Sequence, residues 1–396
     1  MAQIWAGTDI GKTHHHCVVL DAEGRRLLSR KVLNDEPELL ALLTDVLDLA
    51  EDVVWAVDVA DGMAVLWINI LLAHGQQLVY IPGLAVNRAA AGYRGGGKTD
   101  AKDATVIADQ ARMRRDLTVL RPDDEHAVEL RILTGRRADL NADRTRRINR
   151  LRGQLTSIFP ALERVLDLGN IGPLVLLTGY QTPAALRRTG RGRLAAWLRN
   201  RKVRGAEALA AAAVDAAERQ HTTVPGEKIA AQVIHTLAKE VMGLNEQIAE
   251  MDKLIAARFR AHELAEVIAS MPGIGPLLGA EFLAATAGDM SRFGSPDRLA
   301  SLAGLAPVPR DSGQISGNLH RPRRYHRRLQ RVFYTSALIS IRNCEESRRF
   351  YARKRAEGKR HTQAVLALAR RRVNVLWALI RDGRCYQGEP PVSSAA

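Results

Sequence analysis

Hydrophobic positions in the first hundred residues fall in short runs. "IWAGTDIG" and "HHCVVLD" are brief and rich in strand-forming residues, and "EGRRLLSRKVL" follows a turn with weak alternation, so residues 3 to 33 predict three adjacent strands. "DEPELLALLTDVLDLA" has an acidic start, Pro37 near its first turn and leucines at helical spacing, which predicts a helix. "VVWAVDV" then reads as a buried strand, "GMAVLWINILLAHG" as a helix ending at Gly75, and "QQLVYIP" as a further strand. Adjacent strands followed by alternating helix and strand predict an α/β domain on a mixed sheet.

From Ala101 the pattern turns helical. Residues 124 to 166 form a long charged stretch with Ile148, Leu151, Leu155 and Ile158 on one stripe, as in a long helix or coiled coil. An Ala- and Arg-rich segment follows over 180 to 220. "EKIAAQVIHTLAKEVMGLNEQIAEMDKLIAARF" predicts a second long amphipathic helix. The two long helices are expected to pair as an arm, within one chain or between subunits. A break at "ASMPGIGPLLGAEFLAATAGD" opens a third, mostly helical region, and "YQGEPPVSSAA" reads as a loose tail. The expected division is 1–120, 121–265 and 266–385, with a tail at 386–396.

Charge narrows the function. The formal net charge of +15 points to a polyanionic partner. Cys17, Cys344 and Cys385 show no paired spacing, so neither a disulfide framework nor a zinc site is expected. No secretory leader is visible, and "VLWINILLA" falls short of the ~20 residues a bilayer span needs. The expectation is a cytoplasmic protein without a membrane partner.

Four aspartates carry the candidate chemistry. Asp9 ends the first strand, Asp58 lies near the end of "VVWAVDV", and Asp100 and Asp103 share one face at a helix start. Any one of them alone reads more simply as a cap or a surface acid, and Asp100 is the natural cap for a helix beginning at Ala101. Asp58, among apolar neighbours, calls for a partner or a ligand. Asp61, Asp21 and Asp109 are nearby alternates, and Asp61 can stand in for Asp58. Carboxylates gathered at one point repel unless a divalent cation lies between them. Oxygen-only donors favour Mg2+, with Mn2+ as a substitute, and two such ions suit displacement at phosphorus.

"GYRGGGKTD" nearly matches a P-loop, but "GLAVNRAAA" precedes it where that motif needs a strand. Lys98 reads better as a contact to a nucleic-acid phosphate. Further on, a Pro/Gly/Ser-rich loop to Gly317 leads into "HRPRRYHRRLQRVFY", where Arg321, Arg323, Arg324, Arg327, Arg328 and Arg331 form a basic patch suited to phosphates. The glycines of "MPGIGP" fit a phosphate-facing hairpin or a plain structural turn equally well. Ser312, Ser316 and Tyr325 are rival nucleophiles on residue chemistry alone.

The "GGGKTDAKDA" block, "MPGIGPLLGAEFLAATAGDMSRFGSPDRLASLAGLAP" and "RDSGQISGN" carry a resemblance. The chain resembles the IS110 family of transposases (IS110/IS116/IS902 type), actinobacterial-type members above all, over about residues 4 to 385. The resemblance implies an N-terminal RNase H-like (RuvC-like) DEDD nuclease domain, a helical coiled-coil middle region and a C-terminal transposase domain. It places the four acids on Asp9, Asp58, Asp100 and Asp103, with aspartate at 58 where the family usually has glutamate. It places the nucleophile on Ser312 in preference to Ser316. It further implies a 5′-phosphoserine DNA intermediate, a composite site shared between protomers, a homodimer assembling to a tetramer, and a noncoding bridge RNA that pairs with donor and target DNA. The alternatives are a Holliday-junction resolvase-like nuclease using activated water, a non-catalytic nucleic-acid binder, and a tyrosine recombinase, the last disfavoured because it needs no carboxylate cluster.

Overall fold

The computed structural model describes residues 3–60, 62–93, 97, 99–121 and 125–388. The chain forms two compact units, Met1–Asp123 and Asp124–Ala396.

The first unit is a six-stranded mixed sheet with helices on both faces. Its elements run β1 (Ile4–Asp9), β2 (His14–Leu20), β3 (Arg26–Leu33), α1 (Glu36–Leu47), β4 (Val53–Val57), α2 (Val65–Ala73), β5 (Gln77–Tyr80), α3 (Gly83–Ala90), α4 (Asp100–Met113) and β6 (Thr118–Val119). The strand order is β3-β2-β1-β4-β5-β6. β1 is antiparallel to β2 and parallel to β4, and β5 is parallel to β4 and antiparallel to β6. All five residues of β4 are buried, because helices cover both sides of it. Trp55 and Val57 face the core made by α1 and α2, whereas Val54 and Ala56 face α3 and α4. Asp35 caps α1 by accepting from the Glu38 N–H at 3.3 Å, and Pro37 occupies its first turn.

α3 and β6 were not expected from the sequence. α3 buries only Val86, so it shows no apolar stripe, and β6 is two residues long. α4 lies tight on the sheet at Gly7. A Cβ there would stand 2.2 Å from the Ala108 nitrogen and 2.5 Å from the Ala104 oxygen.

The second unit is almost entirely helical. It runs α5 (Glu125–Ile158), α6 (Pro160–Val165), α7 (Ile171–Gly179), α8 (Pro183–Asn200), α9 (Ala206–Glu218), α10 (Glu227–Arg260), α11 (Ala265–Ser270), α12 (Pro276–Thr286), α13 (Pro296–Leu302), β7 (Val308–Pro309), β8 (Leu319–His320), α14 (Arg327–Asn343), α15 (Glu345–Ala356) and α16 (His361–Asp382). Pro160 sits at the first position of α6 and ends the long charged helix at Ile158. α5 and α10 have 34 residues each, so each is about 50 Å long. They pack along one another within the chain. Arg147–Glu240 at 2.6 Å, Arg137–Asp252 and Arg258–Glu129 cross between them. Such part-exposed pairs set register more than they add stability.

Two cores line this arm. One joins the far half of α5 and the near half of α10 to α6–α9. The other joins Leu130, Ile255 and Phe259 to α11–α14 and α16. The start of the expected loose tail is tied down, since the Tyr386 N–H donates to Ser270 Oγ at 2.8 Å. Residues 389–396 lie outside the described residues. Among the described residues no helix is long and apolar enough to cross a membrane.

Candidate active site

The parallel pairing of β1 with β4 aligns Thr8 with Val57, so Asp9 and Asp58 follow side by side at the strand ends. Alternation puts both on the face covered by α4. Gly7 lies under Ala108 two residues before Asp9, and Ala56 lies in the α4 core two residues before Asp58. α4 begins at the same end of the unit, with Asp100 and Asp103 in its first turn. Asp100 is not its cap. Thr99 takes that place, its hydroxyl accepting from the Lys102 N–H at 3.2 Å. Asp100 is therefore not occupied in capping.

Asp58 is the most constrained of the four. Burial holds its carboxyl above the usual carboxylate range, the charge of Asp103 adds to this, and the backbone N–H groups of Asp58 and Ile10 oppose it. Its Oδ1 is buried and has no hydrogen-bond partner among the described residues. A buried acceptor without a donor is costly, and a cation would supply what it lacks. An all-oxygen donor set of this kind fits a hard divalent cation. As the side chains stand, no three acidic, histidine or cysteine groups among the described residues converge closely enough to hold a metal ion. The backbone thus gathers the acids at one end of the sheet without drawing their carboxylates together.

Sequence reasoning missed His16. It is the cross-strand partner of Asp9 in the β1–β2 pairing. Cys17 belongs to the opposite core and Val18 to the α4 face, so His16 shares the face of Asp9. Its Nε2 meets Ser29 Oγ at 3.0 Å. Burial lowers its pKa and the charge of Asp100 partly offsets that. Counting back along the hairpin from Val18 and Leu20 was the signal available in the sequence. Its neighbour His15 points the other way and is fully buried, with neither ring nitrogen partnered among the described residues.

The alternates resolve differently. Asp21 closes a local turn with Arg25 at 2.8 Å. Asp109 accepts from Tyr93 Oη at 2.6 Å and pairs with Arg112 at 2.6 Å. Asp61 and Lys98 lie outside the described residues.

In the second unit the serine loop is a β-hairpin. β7 and β8 pair antiparallel, and the Arg310 N–H donates to the Asn318 carbonyl at 2.9 Å. Ser312 and Ile315 exchange backbone bonds of 2.9 and 3.0 Å. Ser312 and Ser316 are both exposed. Tyr325 is half-buried and its Oη accepts from Arg321 at 2.9 Å. Arg323, Arg324, Arg327 and Arg328 are exposed. Arg331 differs from them, because it forms a two-pronged pair with Glu281, a carboxylate only 5% exposed. The Met271–Pro276 turn borders a cleft of about 630 Å³ with Arg137, Glu281 and Arg331. The buried Arg372 donates to Pro272 O at that turn and to Ser336 Oγ at 2.7 Å.

Comparison with known proteins matches residues 6–160 to a family described as DEDD transposase of IS110 type, and residues 265–352 to the transposase IS116/IS110/IS902 family. The chain is 58% identical to the insertion element IS900 42 kDa protein of Mycobacterium paratuberculosis, over 100% of both chains. It is 53% identical to the insertion element IS116 44.8 kDa protein of Streptomyces clavuligerus, over 100% of this chain and 98% of that one. It is 40% identical to the insertion element IS110 43.6 kDa protein of Streptomyces coelicolor, over 98% and 96%. A Thermus thermophilus RuvC structure with a Holliday junction substrate aligns with 30% of this chain and 99% of that one, at 19% identity and a TM-score of 0.24. Two family matches, the first taking in α5 and the second beginning after α10, and end-to-end identity to three insertion-element proteins place this chain in the IS110/IS116/IS902 family of DNA transposases.

Proposed function

We propose that the protein cuts and rejoins DNA strands with a serine nucleophile, Ser312, and a divalent-metal site built from Asp9, Asp58, Asp100 and Asp103. The observation that carries the acidic half is the alignment of Asp9 with Asp58 under α4, with the field of Asp103 on Asp58 and a buried Asp58 oxygen that lacks a donor among the described residues. The serine half is supported by the exposure of Ser312 on a hairpin whose backbone bonds leave the hydroxyl out of the ladder.

In this reading Ser312 Oγ attacks a backbone phosphorus. The bond to the 3′ oxygen breaks, the serine proton passes to that oxygen, and the 5′ phosphate stays on the serine. A free 3′-hydroxyl reverses the step on a different strand. Mg2+, or Mn2+ in its place, would be held by the four aspartates and would stabilise charge on the attacking and leaving oxygens. His16, tethered by Ser29, stays beside Asp9 and orients that edge of the site. Lys98, Arg321, Arg323, Arg324, Arg327 and Arg328 hold phosphates on either side of the cut. The partners are donor and target DNA, a bridge RNA that selects them by pairing, and a homodimer that assembles to a tetramer, in which Ser312 of one protomer meets the acids of another.

The test is covalent trapping. Purified protein with co-purifying RNA, magnesium and labelled element-end and target DNA should yield a denaturant-resistant protein–DNA adduct, absent from Ser312→Ala. Cleavage that persists in Ser312→Ala without any adduct would replace this reading with a water-activating nuclease.

A further inference from the structure

Residues 161–264 lie between the two family matches. Within them, α8 and its turn into α9 carry a basic surface of distinct build. From Pro183 to Arg204 the sequence contains no aspartate or glutamate. Leu194, Ala195 and Leu198 point into the core and Trp197 packs against its edge, while Arg193 and Arg201, four residues to either side of Trp197, are exposed. Trp197 is half-buried, edge-on to Tyr180 at 5.1 Å, and the Arg201 guanidinium lies 3.8 Å from its ring centroid.

The turn itself is pinned and charged. Val203 is buried, while Arg201, Lys202 and Arg204 around it are exposed. Arg191 pairs with Asp215, and Arg199 with Glu207 at 3.2 Å. Arg201, Lys202 and Arg204 have no acidic partner among the described residues. Lys202 adopts a φ of 59°, in the left-handed region. Glycine or asparagine would occupy that position with less strain, so the chain keeps a lysine there against its backbone preference. A long cation on a strained, anchored turn is placed for what its charge reaches.

We propose that the Arg201–Lys202–Arg204 turn, with Arg193 behind it, is a docking surface for the phosphate backbone of duplex DNA. The family acts on DNA, the segment from Pro183 to Arg204 carries no acid of its own, the two acids that reach it are paired with Arg191 and Arg199, and the side chains are point or fork donors suited to phosphate oxygens. Contact here is independent of base sequence and of the Ser312 chemistry.

The test uses the full-length protein in magnesium-free buffer with EDTA, so that no strand is cut. Fluorescence anisotropy with a duplex of arbitrary sequence is recorded over a range of KCl for the parent, Lys202→Gly, and Arg201→Gln/Lys202→Gly/Arg204→Gln. The slope of log affinity against log salt should fall by about 1 in the single variant and about 3 in the triple. The Tm of Lys202→Gly should be unchanged or higher, because glycine relieves the left-handed strain. An unchanged slope in the triple variant would overturn the proposal. So would a lower Tm in Lys202→Gly, which would give the lysine a structural part. Loss of binding to a matched RNA with duplex DNA binding intact would overturn the assignment to DNA.

Discussion

Gly7 of β1 and Ala108 of α4 approach so closely that a side chain on the glycine would stand 2.2 Å from the Ala108 nitrogen. That approach sets the height of α4 above the sheet, and with it the height of Asp100 and Asp103 above Asp9 and Asp58. Gly7→Ala must push α4 outward. It should cost about 1–3 kcal/mol of stability by overpacking, read from urea unfolding, and should abolish metal-dependent DNA cleavage. Full cleavage in a stably folded Gly7→Ala protein would separate the seat of α4 from the chemistry.

Asp58 makes a pH-dependent contribution of known sign. Its folded pKa lies above its unfolded value because of burial first and Asp103 second. The folded state therefore holds the proton more tightly than the unfolded one, and stability from this group is full at low pH and lost as pH rises through the folded value. Asp58→Asn removes the penalty. In metal-free buffer its Tm should exceed the parent's at neutral pH and converge with it in acid, while cleavage is lost. A lower Tm than the parent at neutral pH would contradict the assigned strain.

His15 runs the opposite way. Burial lowers its pKa from the ordinary 6.5, against weaker raising contributions led by Asn34. Its contribution to stability is full above 6.5 and is lost as pH falls through the lower folded value. The parent's unfolding midpoint should drop below that pH, and His15→Leu should flatten the profile there. Retention of the full acid-dependent drop in His15→Leu would place the sensitivity elsewhere.

The arginines of the basic segment divide into two kinds. Arg323 and Arg324 are exposed, so their replacement by alanine should leave Tm unchanged and lower the salt slope of DNA binding by about 1 each. Arg331 neutralises the buried Glu281, so Arg331→Met strands that carboxylate and should destabilise the fold by about 1–3 kcal/mol. Adding Glu281→Gln should recover much of the loss. No recovery in the double variant would mean that Arg331 stabilises by packing rather than by charge.

The α/β order of the first unit was legible because its signals are local. Runs such as "VVWAV" and the capped, leucine-striped α1 specify their own conformation. The acids were legible as candidates, but their faces were not, since facing depends on register between strands far apart in sequence. That is why His16 escaped notice although it lies opposite Asp9. Thr99 rather than Asp100 caps α4, a choice of one residue that spacing alone leaves open. The serine loop showed glycine, proline and serine without alternation, so its two-residue strands gave no periodic trace. The pairing of Arg331 with Glu281 spans 50 residues and has no local signature.

Gln220, just past α9, donates from Nε2 to the carbonyl of Ile158, the last residue of α5, at 2.7 Å. The chain thus leaves the long arm and returns to it at nearly one point. To α5 and α10, everything from α6 to α9 is equivalent to a single short connection. A segment with adjoining ends behaves as a cassette, open to exchange between relatives so long as it still covers Leu151, Leu155, Ile234 and Val241. The arm's register is set by its own ion pairs, and the cassette closes on itself at the tip.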